Sequence, residues 1–275
     1  MTEIRSDAPV GIFDSGIGGL SVARHFLTQL PAESLLYLAD SANAPYGDRD
    51  TVWLTERSVA IAEYLFHQGA KALVVACNTA TAAAISAIRT QFPQHIVIGM
   101  EPGLKPATTL TKSGHIGVLA TSATLRSEKF ALLCKQLSGA DIHWHLQACP
   151  GLVEQIERGE LDSDETLNML RGYLQNMVSA DVDSIVLGCT HYPFLADQIK
   201  SVWSTLSDTP PQLIDTGEAV IRHLRNSLQQ AQLLQTALHT PEIQWLSTGN
   251  PANLQATLQF LLPGTEHRCS QAVSI

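Results

Sequence analysis

The chain predicts an α/β protein of two pseudosymmetric domains, each a parallel β-sheet flanked by helices, with the active site in the cleft between them. Three observations carry that expectation. Short apolar runs alternate with stretches of helical periodicity, the rhythm of βαβ units. The runs are apolar at successive positions, as strands buried on both faces of a parallel sheet are. The strand pattern also recurs. Gly11-Ile12-Phe13-Asp14-Ser15 pairs with Gly117-Val118-Leu119-Ala120-Thr121, and Leu36-Tyr37-Leu38-Ala39-Asp40 with His145-Leu146-Gln147-Ala148-Cys149. The run ending in Cys77 pairs with the run ending in Cys189, and Val97–Glu101 more loosely with Pro211–Asp215. The offset between partners grows slowly along the chain, as two copies with a few insertions would leave it. Regular strand spacing alone would give the same rhythm, and the polar residue closing each run favours duplication.

The elements follow in order. Val10–Phe13 is a strand, and Gly18–Leu30 a helix closed by Pro31. Leu35–Ala39 is a strand, followed by a loop through Ala44-Pro45-Tyr46-Gly47. Apolar spacing makes Thr51–Gln68 a helix ended by Gly69. The first thiol strand, Ala72–Ala76, leads into a helix over Thr79–Thr90. His115–Ala120 opens the second set, with helices over Ser127–Leu137, Gly151–Glu157 and Glu165–Ser179. The second thiol strand, Ser184–Gly188, precedes a helix over Phe194–Leu206. The tail reads as helix over Thr216–Leu238 and a strand over Glu242–Leu246. The 275 residues suffice for two domains of roughly 100–150 residues each. The expected division is 1–99 with 210–275, the tail returning to the first domain, and 100–209.

Composition excludes several classes. Lys+Arg number 17 against Asp+Glu 26, a formal charge of −9 with no offsetting basic cluster, which disfavours nucleic acid and anionic membranes as partners. The first seven residues lack the apolar core of a signal peptide, and Ala72–Ile88 is too short and too polar to span a membrane. Five scattered cysteines without framework spacing point to reduced thiols in the cytoplasm.

The chemistry centres on Cys77 and Cys189. Each follows a buried strand and precedes polar residues, Asn78-Thr79 and Thr190-His191, at the strand end where open α/β sheets bind ligands. A lone buried cysteine is ordinarily an inert small hydrophobe. Recurrence in matching places favours a pair of thiols facing one small molecule, suited to removing a proton from one face of a carbon and returning it to the other. Asp14 and His191, also at strand tips, are the natural helpers; Asp14 reads equally as a helix cap. Gly16-Ile17-Gly18-Gly19 opens a helix but has Ser21 in place of the third glycine of a dinucleotide fingerprint, so an amino-acid carboxylate or a plain turn ranks ahead of a nucleotide. His143-Trp144-His145 puts two imidazoles on one strand face, and no metal site is expected there. Cys134 reads as core and Cys149 as structural, while Cys269 has no assigned role. Glu154, one turn into a helix, is a candidate hydrogen-bond partner for His191.

Four stretches in the same order resemble bacterial glutamate racemase: Phe13-Asp14-Ser15-Gly16-Ile17-Gly18-Gly19-Leu20, Asp40-Ser41 with Pro45-Tyr46-Gly47, Ala76-Cys77-Asn78-Thr79-Ala80, and Gly188-Cys189-Thr190-His191-Tyr192-Pro193. The resemblance runs from about Val10 to Asp215. It implies a cofactor-independent enzyme that interconverts L- and D-glutamate and supplies D-glutamate for peptidoglycan, with Cys77 and Cys189 as the acid/base pair. It also implies that Asp14, Ser15, Tyr46, Gly47, Asn78, Thr79, Thr190 and His191 bind substrate, that Thr121 and Glu154 line or support the pocket, and that a homodimer is possible. No lysine lies in a motif suited to pyridoxal phosphate, so hydrogen bonds and a dry site must stabilise the carbanion. Three alternatives stand beside this reading: a racemase for aspartate or another amino acid, a non-catalytic amino-acid binder, and a cysteine hydrolase using one thiol.

Overall fold

The computed structural model describes residues 4–139, 141–236, 240–262 and 271–275. The chain begins with β1 (Val10–Asp14), α1 (Leu20–Gln29), β2 (Leu35–Ala39), α2 (Thr51–His67), β3 (Ala72–Val75), α3 (Asn78–Gln91) and β4 (Ile96–Gly99). It continues through α4 (Leu104–Leu110), β5 (His115–Ala120), α5 (Ser122–Arg126), α6 (Glu128–Leu137), β6 (His143–Ala148), α7 (Leu152–Glu157), α8 (Asp164–Ser179) and β7 (Ser184–Leu187). A 3-10 turn (Tyr192–Leu195), α9 (Ala196–Ser204), β8 (Gln212–Ile214), α10 (Gly217–Gln230), β9 (Ile243–Ser247), α11 (Pro251–Leu261) and β10 (Gln271–Ala272) complete it.

Two compact units result, Met1–Met100 with Gly217–Ile275, and Glu101–Thr216. Among the described residues the first holds a sheet ordered β10-β9-β2-β1-β3-β4 and the second a sheet ordered β6-β5-β7-β8, every neighbour pair parallel. The orders 2-1-3-4 and 6-5-7-8 are the same arrangement, which is the duplication written in topology. Strand β8 pairs with β7, from Ser184↔Gln212 to Val186↔Ile214, so residues 212–214 sit in the second sheet, although the sequence reading put everything from 210 onward in the first domain. The tail beyond Thr216 does return to the first unit, where β9 pairs with β2.

Strands β1, β2, β3, β5 (but for half-buried His115) and β7 are buried throughout, which is why they read as unbroken apolar runs. The first core cluster gathers residues such as Phe13, Leu38, Leu73, Val75 and Ile88, and the second Ile116, Val118, Phe130 and Val186. Each fully buried Leu, Ile or Phe contributes about 1.5–3 kcal/mol relative to exposure. In both sheets the strand order reverses beside the first strand, between β1 and β3 and between β5 and β7. Such reversals open a crevice at the carboxyl ends of the strands. The expected helix from Phe194 is a 3-10 turn followed by α9, and the tail helix stops at Gln230, where Gln232 turns left-handed (φ 58°). The expected extension to Leu238 enters residues 237–239, outside those described.

Candidate active site

In the first unit, β1 delivers Asp14 to the strand tip, fully buried. Its Oδ2 accepts from the Gly16 amide at 3.0 Å and its carbonyl from the Asp40 amide at 2.9 Å. Asp14 therefore organises the turn and does not cap α1, whose N-cap is Gly19. Gly19 is a matter of space: a Cβ there would lie 2.7 Å from the Asp14 Cβ and 2.9 Å from the Tyr37 hydroxyl. That hydroxyl donates to the Gly16 carbonyl at 3.1 Å. The glycine run thus lets the turn close down on the sheet.

Beside it, Cys77 follows β3 and is the N-cap of α3, its sulfur accepting the Ala80 amide at 3.4 Å. A helix N-terminus favours negative charge. The sulfur lies 3.8 Å from Ser15 Oγ, so the turn after β1 and the tip of β3 meet. Asn78 and Thr79 start α3 and are buried. The Asn78 amide nitrogen reaches the Met100 carbonyl at 3.5 Å, while its amide oxygen is buried without a hydrogen-bond partner among the described residues.

Tyr46 is buried in the same core cluster as Cys77, and half-buried Gly47 follows it. Its hydroxyl donates to Asp40 Oδ2 at 2.5 Å. Burial, then the charge of Asp40, hold the phenol well above its usual range, so it stays protonated. For Asp40, burial alone would favour the neutral acid; hydrogen bonds from Arg57, Tyr46, Thr248 and Asn43 outweigh it and keep the carboxylate ionised.

In the second unit, β5 delivers Thr121, which caps α5 by accepting the Thr124 amide at 3.2 Å. Strand β7 runs into Gly188, where a Cβ would stand 2.9 Å from the Leu119 carbonyl, and then Cys189. Thr190 and His191 are buried beyond it. His191 Nδ1 lies 3.7 Å from the Cys189 sulfur, and Nε2 lies 2.6 Å from Glu157 Oε1. Burial opposes the imidazolium, but hydrogen bonds to Cys189 and Glu157 and their charges raise His191 well above the ordinary histidine value. In its imidazolium form His191 donates on one side to sulfur and on the other to carboxylate.

This corrects the expected partner of His191. Glu154 is half-buried on the same helix, but the carboxylate that meets the imidazole belongs to Glu157, one turn further along α7. Residues three apart share a helix face, so sequence pattern could not choose between them. Cys149 is also nearer the chemistry than expected. Buried, it donates to the Gln147 carbonyl at 3.5 Å, and burial keeps it a thiol beside Tyr192 and Cys189. Cys134 is half-buried against the second core cluster, pushed up to about 11 by burial; Cys269 lies outside the described residues.

His143 and His145 do share a face, and His115 of β5 joins them, its ring stacked 4.8 and 5.2 Å from theirs and its Nδ1 3.0 Å from His145 Nε2. Burial, then the charges of His115 and His143, lower His145. Among the described residues no group of His, Cys, Asp and Glu is placed to hold a metal ion, and no helix is long and apolar enough to cross a membrane.

Comparison with known proteins gives a consistent result. The family model for Asp/Glu/hydantoin racemase matches residues 19–224. A glutamate racemase of Ectopseudomonas mendocina is 48% identical over 94% of this chain and 96% of its own length. One from Ralstonia pickettii is 50% identical over 94% of this chain and 89% of its own. The crystal structure of glutamate racemase RacE1 from Bacillus anthracis superposes with a TM-score of 0.87 at 31% identity, covering 98% of this chain and 99% of that one.

Proposed function

The chain belongs to the Asp/Glu/hydantoin racemase family, and we propose that it interconverts L- and D-glutamate without a cofactor, by proton transfer between two thiols at the α-carbon. The supporting observation is the duplicated constellation: a cysteine at the tip of β3, capping a helix, and a cysteine at the tip of β7, backed by His191 and Glu157. Each occupies the same position in a sheet of the same strand order. The choice of glutamate rests on the relatives, which carry that activity in their names at about half identity over nearly their full length.

In this mechanism one cysteine, as thiolate, takes the α-proton from one face, and the carbanion takes a proton from the other cysteine's thiol on the opposite face. The S–H bond formed at one sulfur balances the S–H bond broken at the other, and nothing is oxidised. Cys77 and Cys189 exchange roles with the handedness of the substrate. The α-hydrogen is a very weak acid, so charge developing on the carboxylate must meet preorganised donors. Ser15, Asn78, Thr79 and Thr190, with the amides at the start of α3, supply such donors without a fixed positive charge. The unpaired amide oxygen of Asn78 suits the substrate ammonium. Asp14 holds the turn that carries Ser15, while Tyr46, Gly47 and Thr121 line the pocket. His191, hydrogen-bonded to Glu157, orients the Cys189 sulfur for the proton transfer. The product D-glutamate would serve peptidoglycan synthesis, in the cytoplasm, where Cys77, Cys134, Cys149 and Cys189 persist as the free thiols observed.

The test is incubation with L- or D-glutamate, and separately aspartate, in D2O. Deuterium should enter at the α-carbon of glutamate, and Cys77→Ser or Cys189→Ser should each abolish racemisation. Exchange that ignores Cys189 would leave a one-base mechanism, and turnover of aspartate alone would transfer the reading to the sister activity.

A further inference from the structure

We infer that Arg57, together with the segment 273–275, is a positioning device for Tyr46; the inference rests on the function proposed above. The observation is a convergence on one carboxylate. Asp40, at the carboxyl tip of β2, is fully buried. Its Oδ2 accepts from Tyr46 Oη at 2.5 Å and Arg57 Nε at 2.8 Å. Its Oδ1 accepts from Arg57 Nη2 at 2.6 Å, Thr248 Oγ1 at 2.7 Å and Asn43 Nδ2 at 3.0 Å. Arg57 spends its remaining amino group on the main-chain oxygen of Ile275, at 2.6 Å.

Four separate pieces of chain therefore meet at Asp40: the tip of β2, the loop carrying Asn43 and Tyr46, helix α2, and the residue after β9; the segment after β10 joins through Arg57. The loop is the piece without regular structure, and it is tied twice more: the Ala42 amide donates to Thr248 Oγ1 at 3.2 Å, and the Tyr46 ring meets Trp53 edge-on at 5.4 Å. The segment 273–275 is itself anchored, because the Val273 amide donates to the Ser247 carbonyl at 2.9 Å and Val273 and Ile275 pack on the first core cluster.

A planar guanidinium that fills both carboxylate oxygens fixes the carboxylate in direction as well as charge. Asp40 can aim at the Tyr46 hydroxyl only while Arg57 holds it, and Ile275 removes the slack in Arg57. Arg57 thus acts through Asp40 on the residue that sits in one cluster with Cys77. A device for stability alone would not require the carboxylate's fifth donor to be a side chain packed in one cluster with Cys77.

The experiment compares wild type with Arg57→Lys, Arg57→Met, a chain ending at residue 272, and the Arg57→Met chain so shortened. Kinetics are followed in both directions by circular dichroism, with a thermal melt of each protein. Arg57→Met should raise KM for glutamate about tenfold while kcat per folded enzyme stays within about threefold, the signature of lost uniform binding. Arg57→Lys should recover part of that loss, and shortening alone should raise KM roughly threefold. The combined variant should be no worse than Arg57→Met, because both changes cut one linkage. An unchanged KM beside a lowered melting temperature would overturn the inference and leave a structural ion pair. So would full additivity. If Arg57→Met does not fold, the lysine and shortened variants decide by the same KM criterion. Wild type inactive on glutamate would overturn the function itself, and this inference with it; active wild type with unmoved KM in the variants overturns this inference alone.

Discussion

Replacing Glu157 with Gln removes one charge from a three-group chain while nearly preserving its shape. The carboxylate lies 2.6 Å from His191 Nε2, and the imidazole is buried with Nδ1 toward Cys189. A hydrogen bond between charged partners contributes about 1.5–3 kcal/mol. Because the Glu157 side chain keeps 21% exposure, the lower part of that range applies, about 1.5–2 kcal/mol. Without that charge His191 should fall toward its ordinary value. If the imidazolium supports Cys189 in the transition state, the same loss enters the barrier as about a tenfold drop in kcat/KM. The two enantiomers have equal free energy, so kcat/KM must drop by the same factor in both directions, whatever happens to kcat and KM separately. Circular dichroism kinetics in both directions from about pH 5 to pH 10 should show the alkaline limb moving to lower pH. A folded-state pKa above the ordinary histidine value stabilises the protein fully below about pH 6.5 and loses that contribution as pH rises through the raised value. The variant's melting temperature should therefore lag most in mild acid and rejoin wild type on the alkaline side. An alkaline limb that does not move, with kcat/KM within about twofold of wild type, would refute the coupling of Glu157 to Cys189.

The neighbouring Glu154→Gln should leave stability within about 0.5 kcal/mol and kcat/KM within about threefold, a direct contrast on the same helix. Gly188→Ala forces a Cβ to 2.9 Å from the Leu119 carbonyl and 3.1 Å from the Ala120 Cβ, so β7 must shift. A loss of about 1–3 kcal/mol in urea unfolding and a lower kcat, from displaced Cys189, should follow. Lys71, almost wholly buried, pairs with Glu33 at 2.6 Å and donates to the Ser6 and Leu233 carbonyls. Lys71→Met strands the Glu33 charge and should cost about 3–5 kcal/mol in urea unfolding, with kcat and KM unchanged at temperatures where the variant is folded.

Much of this protein is written locally in its chain. A strand buried on both faces must be apolar at every position, so β1, β3, β5 and β7 stand out, and the polar residue that ends each run marks the tip where ligands bind. Cys77, Cys189, Asp14 and Thr121 were legible for that reason. Helices α4 and α5, seven and five residues long, were not, because so few turns leave no readable period. Strand β10 spans two residues and carries no alternation at all.

What sequence alone could not decide is which distant groups meet. Glu154 and Glu157 present the same pattern, and only the seating of α7 beside the β7 tip brings the second to His191. Arg57 and Thr248 carry no mark of a shared task, yet the pairing of β9 with β2 and the packing of α2 bring them to Asp40, and Arg57 in turn meets Ile275. Side-chain type and strand position follow from nearest-neighbour chemistry, whereas a contact between residues far apart in the chain exists only after the sheets have paired.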